Sequence, residues 1–314
     1  MSAPYPEPIA APGASGSTPT ASVGPLLPAK SAAASPNLLG STADWSVLNQ
    51  PGQLFLTYSS GFANYSFGAV PDRFSAVYAK ASDSYRVTAS YYRANHDVTP
   101  YQTFDLTFGQ GDLAASETNA RFTTYRKNAN GIASRLLLLK PTNDLVSTAY
   151  CSIGMWDATL NSGAANQSSF TEAFVYGYQQ SGEPPAGTRT FNGIAVGQVA
   201  GYENRQMMVI GRVTLTVSYD ATAQAYRVDG PVNLTGVDAK THEVIALAPI
   251  RLQNNGNADI ILANTAGFAD FGQGRSKFCG PSFDEYSGVV FSRVSFGNGI
   301  TAGVNLAIIA TPSP

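Results

Sequence analysis

"GRVTLTVSYDATAQAYRVDG", residues 211–230, alternates almost without a break. On an extended chain Val213, Leu215, Val217 and Tyr219 share one face, and Thr214, Thr216 and Ser218 share the other. "DATAQ" supplies the turn, after which Tyr226 and Val228 resume the alternation. This is the pattern of a hairpin in a small soluble barrel, apolar side chains inward and Thr and Ser in water. A slip of one residue would invert every side chain, so the pattern also sets the register.

Working outward, the same rhythm recurs. "QLFLTYSSGF", "RFSAVYA", "SYRVTASYY", "FDLTFGQGD" and "ARFTTYRK" are β-rich runs separated by Gly, Asp, Asn or Pro. No stretch keeps a helical period beyond one or two turns. With 16 Tyr, 16 Phe and 30 Gly against 4 Met, the composition also leans to β-structure. The expected fold is therefore all-β.

Composition bounds the organisation. At 314 residues the chain has room for two domains, or for one domain and a tail. Residues 1–40 are dominated by Ala, Pro, Ser, Gly and Thr, with Tyr5 their only aromatic, and cannot bury enough apolar surface to offset their ordering entropy. They read as a disordered, semi-extended tether. It lacks a basic start and an apolar run, so it is no signal peptide. Such a tether points to a leader removed from its front and to a lipidated or membrane-bound end; the alternative is the tail of a cytosolic protein. "RLLLLK" and "NLAIIA" are too short to span a bilayer as helices. The Pro/Gly-rich "QQSGEPPAGTRT" divides the remainder into a β-rich body at 41–186 and a second at 187–314.

Charge and chemistry exclude several functions. Net charge is −2 and charged residues are only 13% of the chain, which leaves no electrostatic footprint for nucleic acid. His96 and His242 are the only histidines and Cys151 and Cys279 the only cysteines, and no HExxH, paired-cysteine or phosphate-loop motif is present. There is no GxSxG elbow. The expectation is no enzyme, no metal and no cofactor. The two cysteines leave two readings: a disulfide across a long loop, or two buried thiols acting as small hydrophobes in the apolar settings "AYCSIG" and "KFCGP".

Those settings also carry a family resemblance. "AYCSIGMW" (149–156), "AFVYGY" (173–178) and "PPAGTRTFNGIAVG" (184–197) resemble, in order, the join between handle domain and β-barrel in the transferrin-binding protein B superfamily. The 211–230 hairpin is similar to an early barrel hairpin of that family, and "KFCGPSFDEYSGVVFS" (277–292) to its final one. The resemblance covers about 149–300 and implies a single handle-plus-barrel lobe with a closed antiparallel barrel of about eight strands. In that frame Gly280-Pro281 turns the chain, Glu285 faces out, Gly288 lets the last strand return, and Cys279 replaces a core aromatic. It further implies a monomeric Gram-negative surface lipoprotein, with periplasm-facing or secreted placement as alternatives. Its membrane contact would be an N-terminal lipid anchor alone, and it would hand a ligand to a TonB-dependent outer-membrane transporter. The ending "GVNLAIIATPSP" departs from the family pattern, so host transferrin is not implied as the ligand.

Binding residues are expected on loops of the first body, carried by a rigid sheet. "SSGFANYSFGAVPDRF" (59–74) offers Phe62, Tyr65 and Phe67, and "SYYRANHDVTPY" (90–101) offers Tyr91, Tyr92 and His96. Aromatics with polar tips serve a protein hot spot or a small-molecule pocket equally well. Three functions remain open: capture of a protein, a pocket for a hydrophobic or iron-bearing small molecule such as haem, and a structural or adhesive role.

Overall fold

The computed structural model describes residues 45–49, 53–59, 62–68, 74–91, 102–141, 143–160, 168–177, 186–220, 222, 225–253, 262–264, 272–280, 282–296 and 300–313. The tether at 1–40 lies outside them. Among the described residues there is no α-helix, and the chain is all-β apart from turns and two single 3-10 turns at Lys80–Ser82 and Gln110–Asp112.

The first body contributes β1 (Trp45–Asn49), β2 (Gln53–Ser59), β3 (Phe62–Gly68), β4 (Phe74–Ala79), β5 (Ser84–Tyr91), β6 (Gln102–Phe108), β7 (Phe122–Ala129), β8 (Ile132–Leu139), β9 (Cys151–Leu160) and β10 (Ser168–Gly177). They form one sheet in the order β6-β5-β4-β1-β10-β9-β8-β7, while β2 also pairs with β10 and carries β3. The sheet rolls. Tyr85 of β5 lies 5.1 Å from Tyr125 of β7, and Lys127 Nζ donates to the Thr107 carbonyl at 2.6 Å, so the two ends of the strand order face each other. An aromatic core fills the roll: Phe74, Tyr91, Phe104, Phe108, Trp156 and Phe174 are among its members.

The second body contributes β11 (Gly187–Tyr202), β12 (Arg205–Asp220), β13 (Ala225–Asp238), β14 (Val244–Ala246), β15 (Ile250–Gln253), β16 (Leu262–Asn264), β17 (Gly272–Cys279), β18 (Glu285–Ser295) and β19 (Thr301–Pro312). Eight of them follow the order β16-β15-β13-β12-β11-β19-β18-β17, with neighbours antiparallel and β14 appended to β13. The first strand of that order, β16, lies against the last, β17, which rolls the sheet into a barrel. The register is the one expected: Val213, Leu215, Val217 and Tyr219 are in the barrel core, while Thr214 and Thr216 are exposed.

A third core joins the two sheets. Leu137, Leu139, Ile153, Met155, Ala173 and Val175 of the first body pack against Ile194, Val196, Met208, Ile210, Val289, Ala307 and Ile309 on the barrel's outer face. Each fully buried aliphatic side chain contributes about 1.5–3 kcal/mol, so this joint outweighs any single polar contact across it. It also explains the mixed character of β12. "MMVI" (207–210) is buried on both faces; from Arg212 onward the outer face reaches water and alternation begins. β19 is buried on both faces from Ala302 to Thr311, with Val304, Leu306 and Ile308 in the barrel core and Ala307 and Ile309 in the joint, and Asn305 interrupts its apolar run.

The 277–292 segment departs from its sequence reading in three respects. Gly280 does turn the chain: its φ is +84, and a Cβ there would sit 2.5 Å from the Tyr150 ring. But "KFCGPSFDEYSGVVFS" is not the final hairpin, because β19 follows and pairs with both β18 and β11. Glu285 does not face water. It leaves the barrel interior, yet the outer face at that point is covered by the handle, and the residue is 1% exposed. Cys279 is not an aromatic's stand-in inside the barrel: it belongs to the joint and is bonded to Cys151, with the Cα atoms 6.1 Å apart.

Candidate functional site

The barrel mouth holds a shallow pocket. Gly187 and Arg189 open β11 and pair with Tyr219 and Val217 near the end of β12, and Phe191 follows Arg189 on the same face. β17 brings Phe278 beneath them, and the turn after it brings Phe283 over the side. Together these residues line a shallow open depression of about 20 Å³, room for about one water. The floor is an aromatic lattice centred on Phe278, which meets Tyr226, Phe283 and Tyr286 edge-on at 5.5, 5.7 and 5.6 Å, with Phe191 at 6.0 Å. Edge-to-face pairs favour rigid placement by about 0.5–1.5 kcal/mol each. Tyr226 donates to the Ser276 carbonyl at 3.1 Å, and burial holds the Tyr286 phenol well above its usual pKa.

Arg189 stands at the rim, exposed, its Nη1 donating only a long 3.5 Å bond to the Ser282 carbonyl. Arg86, Arg121, Arg126, Arg135, Arg205 and Arg251 are each matched to a carboxylate, but no such ion pair holds Arg189 among the described residues. Phe283 has φ of 56, a left-handed conformation uncommon for a bulky side chain. It is fixed by its N–H, which donates to the Gly280 carbonyl at 3.1 Å.

Behind the mouth, the joint is tied by polar contacts. Glu285 accepts from three successive backbone N–H groups at the start of β9, with Cys151 N at 2.7 Å and Tyr150 N at 3.1 Å, and Ala149 N also donating. Three converging amides are a fixed partial positive charge for a carboxylate. Asn305 of β19 donates to the Thr171 carbonyl of β10 at 3.1 Å. These ties and the disulfide leave the barrel little freedom to turn against the handle.

The handle core contains one more polar group. Glu172 on β10 is 0% exposed and accepts from the Tyr91 hydroxyl at 2.6 Å. Burial among aromatic rings pushes its pKa well up, the Tyr91 hydrogen bond opposing only in part.

The residues expected to bind are placed unevenly. Tyr91, expected on a loop, is the last residue of β5 and 1% exposed, because its ring packs 4.5 Å from Phe170 and its hydroxyl serves Glu172. Phe62, Tyr65 and Phe67 lie on the strand β3 rather than on a loop, opposite Ser59, Leu56 and Leu54 of β2. Tyr92 and His96 lie outside the described residues. The pocket residues were overlooked in the sequence. Their signal was faint: "TRTF" and "FCGPSF" put an arginine and several aromatics at the ends of barrel strands, where a mouth must be.

Among the described residues no group of three His, Cys, Asp or Glu side chains could hold a metal, and no helix is long and apolar enough to cross a membrane.

This geometry defines a class: an all-β chain in which a rolled handle sheet is cemented to an antiparallel barrel with an aromatic mouth. Known proteins add the following. No family model matches the chain, and no curated protein matches its sequence. Among solved structures, it is similar to the vaccine antigen transferrin-binding protein B of Haemophilus parasuis Hp5, solved as a double alanine mutant, at 11% identity and a TM-score of 0.32, covering 85% of this chain and 76% of that one. It is also similar to a protein of unknown function from the DUF3598 family of Nostoc punctiforme, at 11% identity and a TM-score of 0.19, covering 87% and 97%. Likeness at that level assigns no function, which must come from the residues.

Proposed function

We propose that this chain is a non-enzymatic binding protein displayed on the Gram-negative cell surface, capturing a nutrient ligand and passing it to a TonB-dependent outer-membrane transporter. The observation that carries the binding role is the barrel mouth, a shallow aromatic-lined depression beside Arg189, which has no carboxylate partner among the described residues. The Cys151–Cys279 disulfide supports an exported location, since disulfides persist in oxidising compartments. The Ala/Pro/Ser-rich 1–40 segment supports a tether to a lipid anchor, and the resemblance at 149–300 supports surface display and hand-over to the transporter. In this reading 41–186 is the handle and 187–314 the barrel, acting as a monomer without a cofactor. Phe62, Tyr65, Phe67, Tyr92 and His96 form a second contact surface on the handle, while Tyr91 anchors it through Glu172.

Two measurements test this. Protease treatment of intact cells should remove the protein, and cross-linking in those cells should join it to an outer-membrane transporter. Full protection of the chain in intact cells, with cleavage only after lysis, refutes surface display. Replacing Tyr92 and His96 with Ala should lower ligand uptake with little change in stability.

A further inference from the structure

Accepting the handle as the body that meets a partner protein, we propose how the two meet: the open edge of β3 takes an extended, uncharged strand of that partner as its next β-strand. The backbone carries this inference, rather than any side chain.

The open edge arises from a branch in the handle sheet. β10 divides one of its sides between two strands: residues 175–177 hold β1, and residues 168–171 hold β2. From β1 the sheet continues through β4, β5 and β6, whereas β2 passes only to β3. Among the described residues β2 is the sole strand hydrogen-bonded to β3, so the branch ends there.

The register decides which backbone groups point outward. β2 ends at Ser59 and β3 begins at Phe62, and the two residues pair across a two-residue connection. Such a closing pair exchanges hydrogen bonds, and bonded and non-bonded pairs alternate from there along the ladder. Phe62, Asn64 and Ser66 therefore direct their N–H and C=O groups to β2, while Ala63, Tyr65 and Phe67 direct theirs away from it. A row of donors and acceptors spaced along an extended backbone is matched by another extended backbone, not by a compact ligand.

Open edges are normally protected by charge, proline, shortness or cover. The other edges of this protein follow that rule. β6 and β7 meet, with the Lys127 ammonium on the Thr107 carbonyl and Leu113 bridged to Tyr125. β14 and β16 have three residues each, and β17 carries Arg275 and Lys277. β3, FANYSFG, runs for seven residues with no charge and no proline. It offers no ion pair to a charged strand, so the strand that it matches is uncharged. Pairing of this kind takes its affinity from main-chain hydrogen bonds.

The test separates backbone from side chain. Ala63→Pro deletes one outward N–H and keeps the bonds to β2, whereas Ala63→Ser keeps the N–H. Asn64→Pro deletes an N–H directed to β2 and is the control that damages the hairpin. The probe is a fluorescent, end-capped peptide with the β2 sequence QLFLTYS, which is uncharged and which β3 already pairs through its other edge. Anisotropy with the full chain should show binding to the wild type and to Ala63→Ser. Binding to Ala63→Pro should be about tenfold weaker, for one lost hydrogen bond and a ring in its place. The unfolding midpoint of Ala63→Pro should match the wild type; if it falls, Phe67→Pro repeats the test near the end of the strand. Equal binding by the wild type and the proline variant, or binding by neither, overturns the edge assignment. In intact cells Ala63→Pro should also reduce cross-linking to the outer-membrane transporter, and undiminished cross-linking overturns the proposal. Peptide binding that depends on the Ala63 N–H, with no transporter cross-link even in the wild type, sinks the transporter reading and leaves the edge standing.

Discussion

Replacing Glu285 with Ala removes the one acceptor shared by three backbone amides at the handle–barrel joint. In the native protein Ala149, Tyr150 and Cys151 all donate to it, and the residue is 1% exposed. Leaving a buried donor unsatisfied costs about 1–3 kcal/mol. Water entering the vacated space would restore part of that, so the variant should lose about 3–5 kcal/mol, in line with breaking other buried charged contacts. That is a large share of the ~5–15 kcal/mol that typical domains possess. Glu285→Gln keeps the shape and one acceptor oxygen and should lose an intermediate amount. The assay is chemical denaturation with the disulfide intact, followed by far-UV circular dichroism and by tryptophan fluorescence, whose two sources, Trp45 on β1 and Trp156 on β9, both lie in the first body. A Glu285→Ala variant within about 1 kcal/mol of the wild type, with an unchanged denaturant slope, would refute the reasoning: Glu285 would then be a solvated residue, as the sequence alone implied.

The remaining predictions follow from individual contacts. Reduction of Cys151–Cys279, which spans 128 residues, removes a chain constraint worth about 5 kcal/mol in the loop-entropy view; thiol reagents should therefore lower Tm in the wild type and leave the Cys151→Ser/Cys279→Ser variant unaffected. Glu172 has a raised folded pKa, so its protonated form favours the native state; that stability is complete below its unfolded pKa and is lost as pH rises towards the folded value. Glu172→Gln should accordingly gain on the wild type as pH rises from about 4.5, and parallel stability–pH curves would count against a buried, protonated Glu172. In the barrel wall, Leu215→Ala should lose about 2–5 kcal/mol and Thr216→Ala no more than about 0.5 kcal/mol, because one faces the core and the other water; the reverse order in denaturation would mean the strand is slipped by one residue. Phe283→Asn should leave stability within about 1 kcal/mol, since asparagine suits φ of 56 while the lost ring was only partly buried.

What the sequence disclosed was local. Alternation at 211–219 set both the fold class and the inward face of β12, because a period of two survives wherever one face meets water. The joint left no such trace. Glu285 and Cys279 contact residues 128 to 136 positions away, and Asn305 reaches 134 positions to Thr171, so no window of sequence contains both partners. A polar residue opening an apolar strand reads as water-facing when the neighbouring body is invisible, and that is how Glu285 was misread. Tyr91 misled for a related reason: its polar tip suggested a loop, but the tip serves a buried carboxylate on β10. The barrel mouth was hidden because its residues come from β11, β12, β17 and the turn after it, and only barrel closure brings them together.

The central claim is that the barrel mouth holds the ligand. Native mass spectrometry of the protein purified from the bacterium that makes it tests this most directly, comparing the wild type with Phe283→Asn and with Tyr92→Ala/His96→Ala. The account predicts an adduct on the wild type that is lost in Phe283→Asn and retained at lower occupancy in the handle variant. An adduct that survives Phe283→Asn at full occupancy would contradict it.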